Sequence, residues 1–283
     1  MIVVTDAFRK LFKNPIVFLP DAVYAGINFL LVYLLYSYTG FNQILAELPA
    51  DKEGIIEVLT VFFSTNLGQV LISGSLFIIV TFLIGVGAMA LKFSLITDII
   101  NKKKPSIMRA WHKRNHFYYK IIILRVIIYL ISILAILFIL ASSSLLYLLI
   151  NPFNPVFATY FSFLVAIVLA LSILLLLKWV LLFRYPLMYL SRQPDPVKVL
   201  KNCMKYFRAK PGHVIVSWLI ILCVSVIFIL TGILLSAIYS GLTGSISEGV
   251  LATAIGVAWT IAFTLFNLVP KLWQQIYLFD MKQ

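Results

Sequence analysis

Asp21 is the residue with the clearest capacity for chemistry. Residues 10–26 read KLFKNPIVFLPDAVYAG, and the aspartate stands in a stretch that is otherwise apolar. It lies six residues past Pro15, about 9 Å along a helix that rises ~1.5 Å per residue. A carboxylate at that depth in a bilayer is costly unless it is paired, hydrated or protonated. The basic residues on the same half of the hydrophobic layer are Arg125, Lys178 and Arg184, with Lys92 at a helix end. Such long side chains also reach the membrane edge unaided. Two arrangements are open. Asp21 and a basic partner line a polar site for an ion, a proton or a lipid headgroup, or Asp21 pairs quietly or caps a helix that starts after Pro20, where the proline makes a natural break.

Other residue types offer less. His112 and His116 share a helical face at i, i+4, but a zinc site takes further ligands and no HExxH or CxxC is present. Lys113 and Arg114 between them oppose a cation. No serine has a GxSxG setting, no acid–base pair has catalytic spacing, and no GxxxxGK[ST] loop offers a phosphate cradle. The reading is therefore non-enzymatic, with no metal or other cofactor. Asn66, Ser73, Ser75 and Thr81 give the second apolar block only a thin polar lining. Its glycines, Gly68, Gly74, Gly85 and Gly87, read as close helix packing.

The elements that position these residues follow from composition. The 283-residue chain is 62% hydrophobic and 12% charged, against about 45–50% and about 25% for a soluble domain. The excess falls in blocks long enough to cross a hydrocarbon layer ~30 Å thick. Six spans are expected, near 15–38, 67–90, 119–145, 156–182, 213–238 and 250–268. The first reads as a retained membrane helix, since residues 1–15 lack the order of a signal peptide. The third and fourth blocks are long enough to require tilt or extension beyond the lipid. Cys203 and Cys223 form no disulfide framework and are expected as thiols.

Charge sets the orientation. Residues 39–66, 146–155 and 239–249 hold one basic residue, Lys52, and five acids: Glu47, Asp51, Glu53, Glu57 and Glu248. The rest of the 23 Lys and Arg lie on the opposite side or at the adjoining helix ends. Basic connectors stay in the cytoplasm, so both termini are expected there, in a multi-pass protein of the cell membrane. The same placement accounts for the formal charge of +13 without nucleic acid.

One phrase recurs. KLFKNPIVF (10–18), RAWHKRNHFYYKIII (109–123) and KYFRAKPGHVIV (205–216) each precede a pair of spans, and the second lacks the proline. The span pairs end in LKFSLITDII (91–100), LLFRYPLMYL (181–190) and PKLWQQIYLF (270–279). A single membrane domain of three modules is expected, at about 1–100, 101–192 and 193–283. Each module has an amphipathic helix, a span out and a span back. In the last, Asp195 caps the helix and Pro196 takes its first position. Val197, Leu200, Met204 and Phe207 form its apolar face, and Lys198, Lys201, Lys205 and Arg208 its basic one. The basic face is expected to meet anionic lipid headgroups. Phe8, Leu11 and Phe12 beside Arg9, Lys10 and Lys13 repeat the pattern, as do Ile107, Met108 and Trp111 beside Arg109, Lys113 and Arg114.

The KLFKNP and KYFRAKP phrases before helical hairpins resemble those of six-span integral membrane proteins related to the glycerophosphoryl diester phosphodiesterase membrane domain and allied families of unknown function. The resemblance covers nearly the whole chain and implies a membrane module. In phosphodiesterases with this domain the chemistry belongs to a separate soluble barrel, so no catalytic residue is carried over. The chain is thus read as an all-α polytopic membrane bundle. It handles or senses lipid or a small solute, as a transporter-like bundle or a scaffold. The alternatives are an embedded enzyme acting on a lipid headgroup and an accessory subunit that docks a soluble partner.

Overall fold

A computed structural model describes residues 2–41, 44, 52–190, 195–243 and 250–282. Glu47, Asp51 and Glu248 lie outside the described residues, as does the side chain of Glu53. Among the described residues the chain is helical, with no strand. Six helices are long and apolar enough to cross a membrane. The protein is an all-α, multi-pass membrane protein.

The proline pattern decides how each span is entered. Helix α1 (Ile2–Lys13) stops before Pro15. Proline disfavours the helical conformation in the residue before it, and Asn14 sits at φ −130°, ψ 67°. A 3-10 turn (Pro15–Phe18) then leads into α2 (Leu19–Thr39), with Asp21 in its first turn. Gly40 ends α2 at φ +72°, a left-handed conformation that glycine adopts without strain. Toward the C-terminus, α7 (Pro196–Ala209) breaks in the same way at Lys210 (φ −139°, ψ 56°) before Pro211 opens α8 (Pro211–Thr243).

Where the proline is missing, the break is missing too. The helix α4 (Ile107–Ile150) runs unbroken through the expected elbow and the expected span. Its 44 residues reach about 66 Å, twice the ~30 Å hydrocarbon layer. The separate second elbow read from the sequence is therefore one rigid extension of the span. Helix α3 (Lys52–Ile100) is likewise long, with one departure from helical backbone at Asn66 (φ −109°, ψ 15°).

Two further prolines are placed differently. The helix α5 (Pro155–Val180) ends in a turn, and α6 (Arg184–Leu190) restarts so that Pro186 falls in its first turn, where its missing N–H costs nothing. Pro270 lies inside α9 (Val250–Lys282), where it removes one backbone bond.

Helices α2, α3, α4 and α5 pack in sequence on one another, and α9 packs on α8 and α1. The core is not midway along the spans. It gathers at the end that carries the basic residues, from residues 90–100 of α3, 181–189 around α6 and 268–279 of α9. Ala7 and Leu11 of α1, Ala110, Ile121 and Leu124 of α4, Val199 and Cys203 of α7 and Val214 and Ile221 of α8 join it. Phe93 is its hub, stacked on Tyr185 with ring centroids 4.5 Å apart and within 5.8 Å of Phe279. Such aromatic pairs contribute about 0.5–1.5 kcal/mol each beyond their buried area. Mid-span residues such as Ile72, Leu134, Leu171, Leu234 and Ile261 are exposed. Lipid tails are as apolar as leucine, so nothing drives these side chains off the lipid and onto each other.

Helix α7 meets the core through residues beside its apolar stripe. Pro196, Val199 and Cys203 are buried, and Leu200 and Phe207 partly so, while Val197 and Met204 are exposed among the lysines. The apolar stripe is shared between a protein-facing and an outward-facing edge. Asp195 does cap the helix, accepting from the Val197 N–H at 3.0 Å.

Candidate functional site

Asp21 is half of an ion pair. Lys92 Nζ donates to both of its carboxylate oxygens at 2.8 Å, bridging α2 and α3. Only 6% of the Lys92 side chain and 13% of the Asp21 side chain are exposed. Of the partners available to Asp21, the structure selects Lys92, which the sequence put at a helix end. Arg125 instead donates to Met89 Sδ at 2.7 Å and lies over the Phe82 ring. Arg184 lies over the Tyr185 ring, 4.8 Å from its centroid, and donates to the Leu181 carbonyl. Tyr185 is within electrostatic reach of Lys92, Arg125 and Arg184. Asp21, Lys92, Arg125 and Arg184 therefore form one cluster around Tyr185, and Lys178 stays outside it, exposed on α5.

The same end holds two more carboxylates that the sequence reading passed over. Asp98 is 1% exposed and takes Lys113 Nζ at 2.8 Å, with Arg109 at 3.8 Å. Asp280 pairs with Lys10, which also reaches Asp6. Burial works against the Lys10 ammonium, but Asp280 and Asp6 outweigh it and hold its pKa above that of a free lysine. With Asp195 at its cap, every acid of the basic end is engaged: Asp6, Asp21, Asp98, Asp195 and Asp280. Asp98 had a legible signal. It interrupts the apolar run LITDII (95–100) among basic flanks, much as Asp21 interrupts its own segment.

Lys198, Lys201, Lys205 and Arg208 are all exposed on α7, in keeping with a solvated basic face. The thin polar lining of α3 turns onto its own backbone: Asn66 donates to Phe62, Ser73 to Gln69 and Thr81 to Phe77. His112 contacts the Met108 carbonyl, and His116 contacts Lys120.

Two openings lie between spans. One, of about 650 Å³, lies between α2 and α3 beside Tyr38, Gln69 and Ser73. The other, of about 510 Å³, lies at the basic end between α2, α3 and the first turns of α4. Its walls are apolar, from Pro20, Tyr24, Gly87, Ala88 and Leu91 among others, and its charged residue is Arg114. Pro20 and Leu91 adjoin Asp21 and Lys92 in sequence, so ion pair and groove share the α2–α3 contact. Its volume falls within the range of about 300–1,000 Å³ usual for small-molecule sites.

Compared with protein-family models, with curated proteins and with solved structures, the chain finds no match.

Proposed function

We propose that this is a non-enzymatic membrane scaffold that engages lipid, with its basic end and both termini at the cytoplasmic face of the cell membrane. In this reading it is built from three related modules, each ending in one of the segments at 91–100, 181–190 and 270–279. Convergence of those three segments in one core supports the reading.

The observation that carries it is the division of the molecule into a packed, charge-paired basic layer and spans that are apolar on nearly every face. A transporter needs a polar path near the middle of the bilayer, and the hydroxyls of Ser73 and Thr81 in α3 bond to their own helix instead. An embedded enzyme needs titratable groups converging on a hydrated pocket. The Asp21 carboxylate is instead committed to Lys92 in a nearly dry contact. What remains is apolar surface and a cationic face, which suit lipid tails and anionic headgroups.

The test is the lipid that the full chain retains on purification in mild detergent, identified by mass spectrometry. Anionic phospholipid enriched over its share of the host membrane is the expected result. A lipid profile equal to that membrane's bulk, or solute uptake into proteoliposomes that depends on Asp21, overturns the proposal.

A further inference from the structure

We infer that the groove between α2, α3 and the start of α4 seats one acyl chain of an anionic phospholipid, with Arg114 binding the lipid phosphate. The inference rests on the lipid-engaging reading above and assigns it to one site.

Arg114 differs from its neighbours. Arg109 and Lys113 point to Asp98 and are used there. Arg114 sits on the groove wall with its guanidinium 3.8 Å from the centroid of the Trp111 ring. Among the described residues it has no carboxylate partner and no acceptor for its N–H groups, and its Nε is buried. An arginine stacked on an aromatic face keeps its in-plane N–H donors for a planar or tetrahedral oxyanion. The ring holds the guanidinium in one orientation, so little rotamer freedom is lost on binding.

The rest of the groove suits a hydrocarbon chain. Leu19, Val23 and Leu83 flank it with exposed side chains, so it opens sideways, where lipid tails stand around a spanning protein. Tyr118 ties α4 to α3 by donating to the Leu83 carbonyl at 3.2 Å, and its ring rests against Gly87. Gly87 and Ala88 keep the α3 wall shallow. Apolar walls beneath a single unpaired cation match a chain that ends in a phosphate. Free phosphate would find one cation and walls that are otherwise mostly apolar.

The experiment is native mass spectrometry of the full chain in detergent, titrated with phosphatidylglycerol or phosphatidylcholine. The wild-type protein binds phosphatidylglycerol in preference. Arg114→Gln lowers that preference roughly tenfold, the weight of one charge-assisted contact, and Arg114→Lys keeps part of it. Ala88→Leu, which fills the groove, weakens both lipids together. Each variant is checked for a wild-type melting transition, and Arg114→Lys serves in place of Arg114→Gln if the latter does not fold. An Arg114→Gln protein with undiminished preference, or an Ala88→Leu protein with full binding, sinks the site while leaving the scaffold reading intact. A wild-type protein without preference for the anionic lipid sinks both. Displacement of the lipid by millimolar inorganic phosphate assigns Arg114 to a soluble anion and overturns the inference.

Discussion

Lys92 reaches back 71 residues along the chain to hold both oxygens of Asp21 at 2.8 Å. The contact fixes the depth of α2 against α3, because a shift of either helix by one turn, ~5.4 Å, would separate the charges. Beyond it the two helices meet through small contacts. A Cβ built on Gly85 would stand 3.3 Å from the Tyr24 ring, so the side chain of one helix lies nearly on the backbone of the other.

Lys92→Met should be among the most damaging substitutions. It leaves the Asp21 carboxylate largely buried without a partner, at a cost of about 3–5 kcal/mol. Replacing both, as Asp21→Leu with Lys92→Met, should recover most of that loss, since a buried ion pair contributes little against an apolar pair of similar volume. Thermal melting of the four proteins in detergent measures the coupling. Equal loss in the single and double variants would mean that the pair carries more than its own charges.

Asp98 makes a sharper case, because it serves two cations from a site that is 1% exposed. Asp98→Asn should release Arg109 and Lys113 together and loosen the first turns of α4 from the end of α3. Hydrogen exchange of residues 107–115 should then rise while the membrane-embedded part of α4 stays protected. Lys113→Ala should do less, since Arg109 remains. Unchanged exchange in Asp98→Asn would show that packing at Ala110, which is fully buried, holds this segment alone.

Several features were legible in the chain for identifiable reasons. The six spans were, because the length of an apolar block is a one-dimensional quantity that the bilayer reads directly. So was the Asp195–Pro196 helix start, where cap and backbone are local. The choice of Lys92 over Arg125 and Arg184 was not, since it depends on how α2 and α3 register in depth. The contact of α7 with the core was not legible for a related reason. Val197 and Met204 share its apolar stripe with Leu200 and Phe207, yet the helix packs on protein through Val199 and Cys203 and turns the first two outward. Periodicity locates a stripe but does not say which edge meets protein. The continuity of α4 was written in the missing proline of RAWHKRNHFYYKIII, a difference that outweighs the likeness of the surrounding residues.

That difference can be tested by exchanging it. In Pro211→Ala, Lys210 is freed from the pre-proline restriction, and α7 and α8 should join more often into one helix, as in α4. Spin labels at Lys201 and Val216 should then report a longer and narrower distance distribution in membranes. Asn115→Pro in α4 should do the reverse, breaking a straight helix at a cost of ~3 kcal/mol or more. If Pro211→Ala leaves the distance unchanged, packing of Val199 and Cys203 in the core, and not the proline, sets the bend.

Cys203 offers a readout of that same packing. Burial pushes its thiol from 9.0 up to about 12, with Arg184 pulling weakly the other way. The folded state therefore holds the thiol proton more tightly than the unfolded chain does. The resulting stability is complete below about pH 9 and is lost as the pH rises from there toward 12. At pH 8 the folded protein should present almost no Cys203 thiolate to a water-soluble maleimide. Cys223 is exposed but faces outward from a membrane span, which withholds it from the same reagent. A Cys223→Ala protein should thus label slowly when folded and quickly once denatured, and its melting temperature should fall between pH 9 and 11. Cys203→Ala in that background should remove both the labelling and part of the pH dependence. Fast labelling of folded Cys223→Ala at pH 8 would mean that α7 leaves the core on the time scale of the reaction, and that the packing of Cys203 against the basic layer is transient.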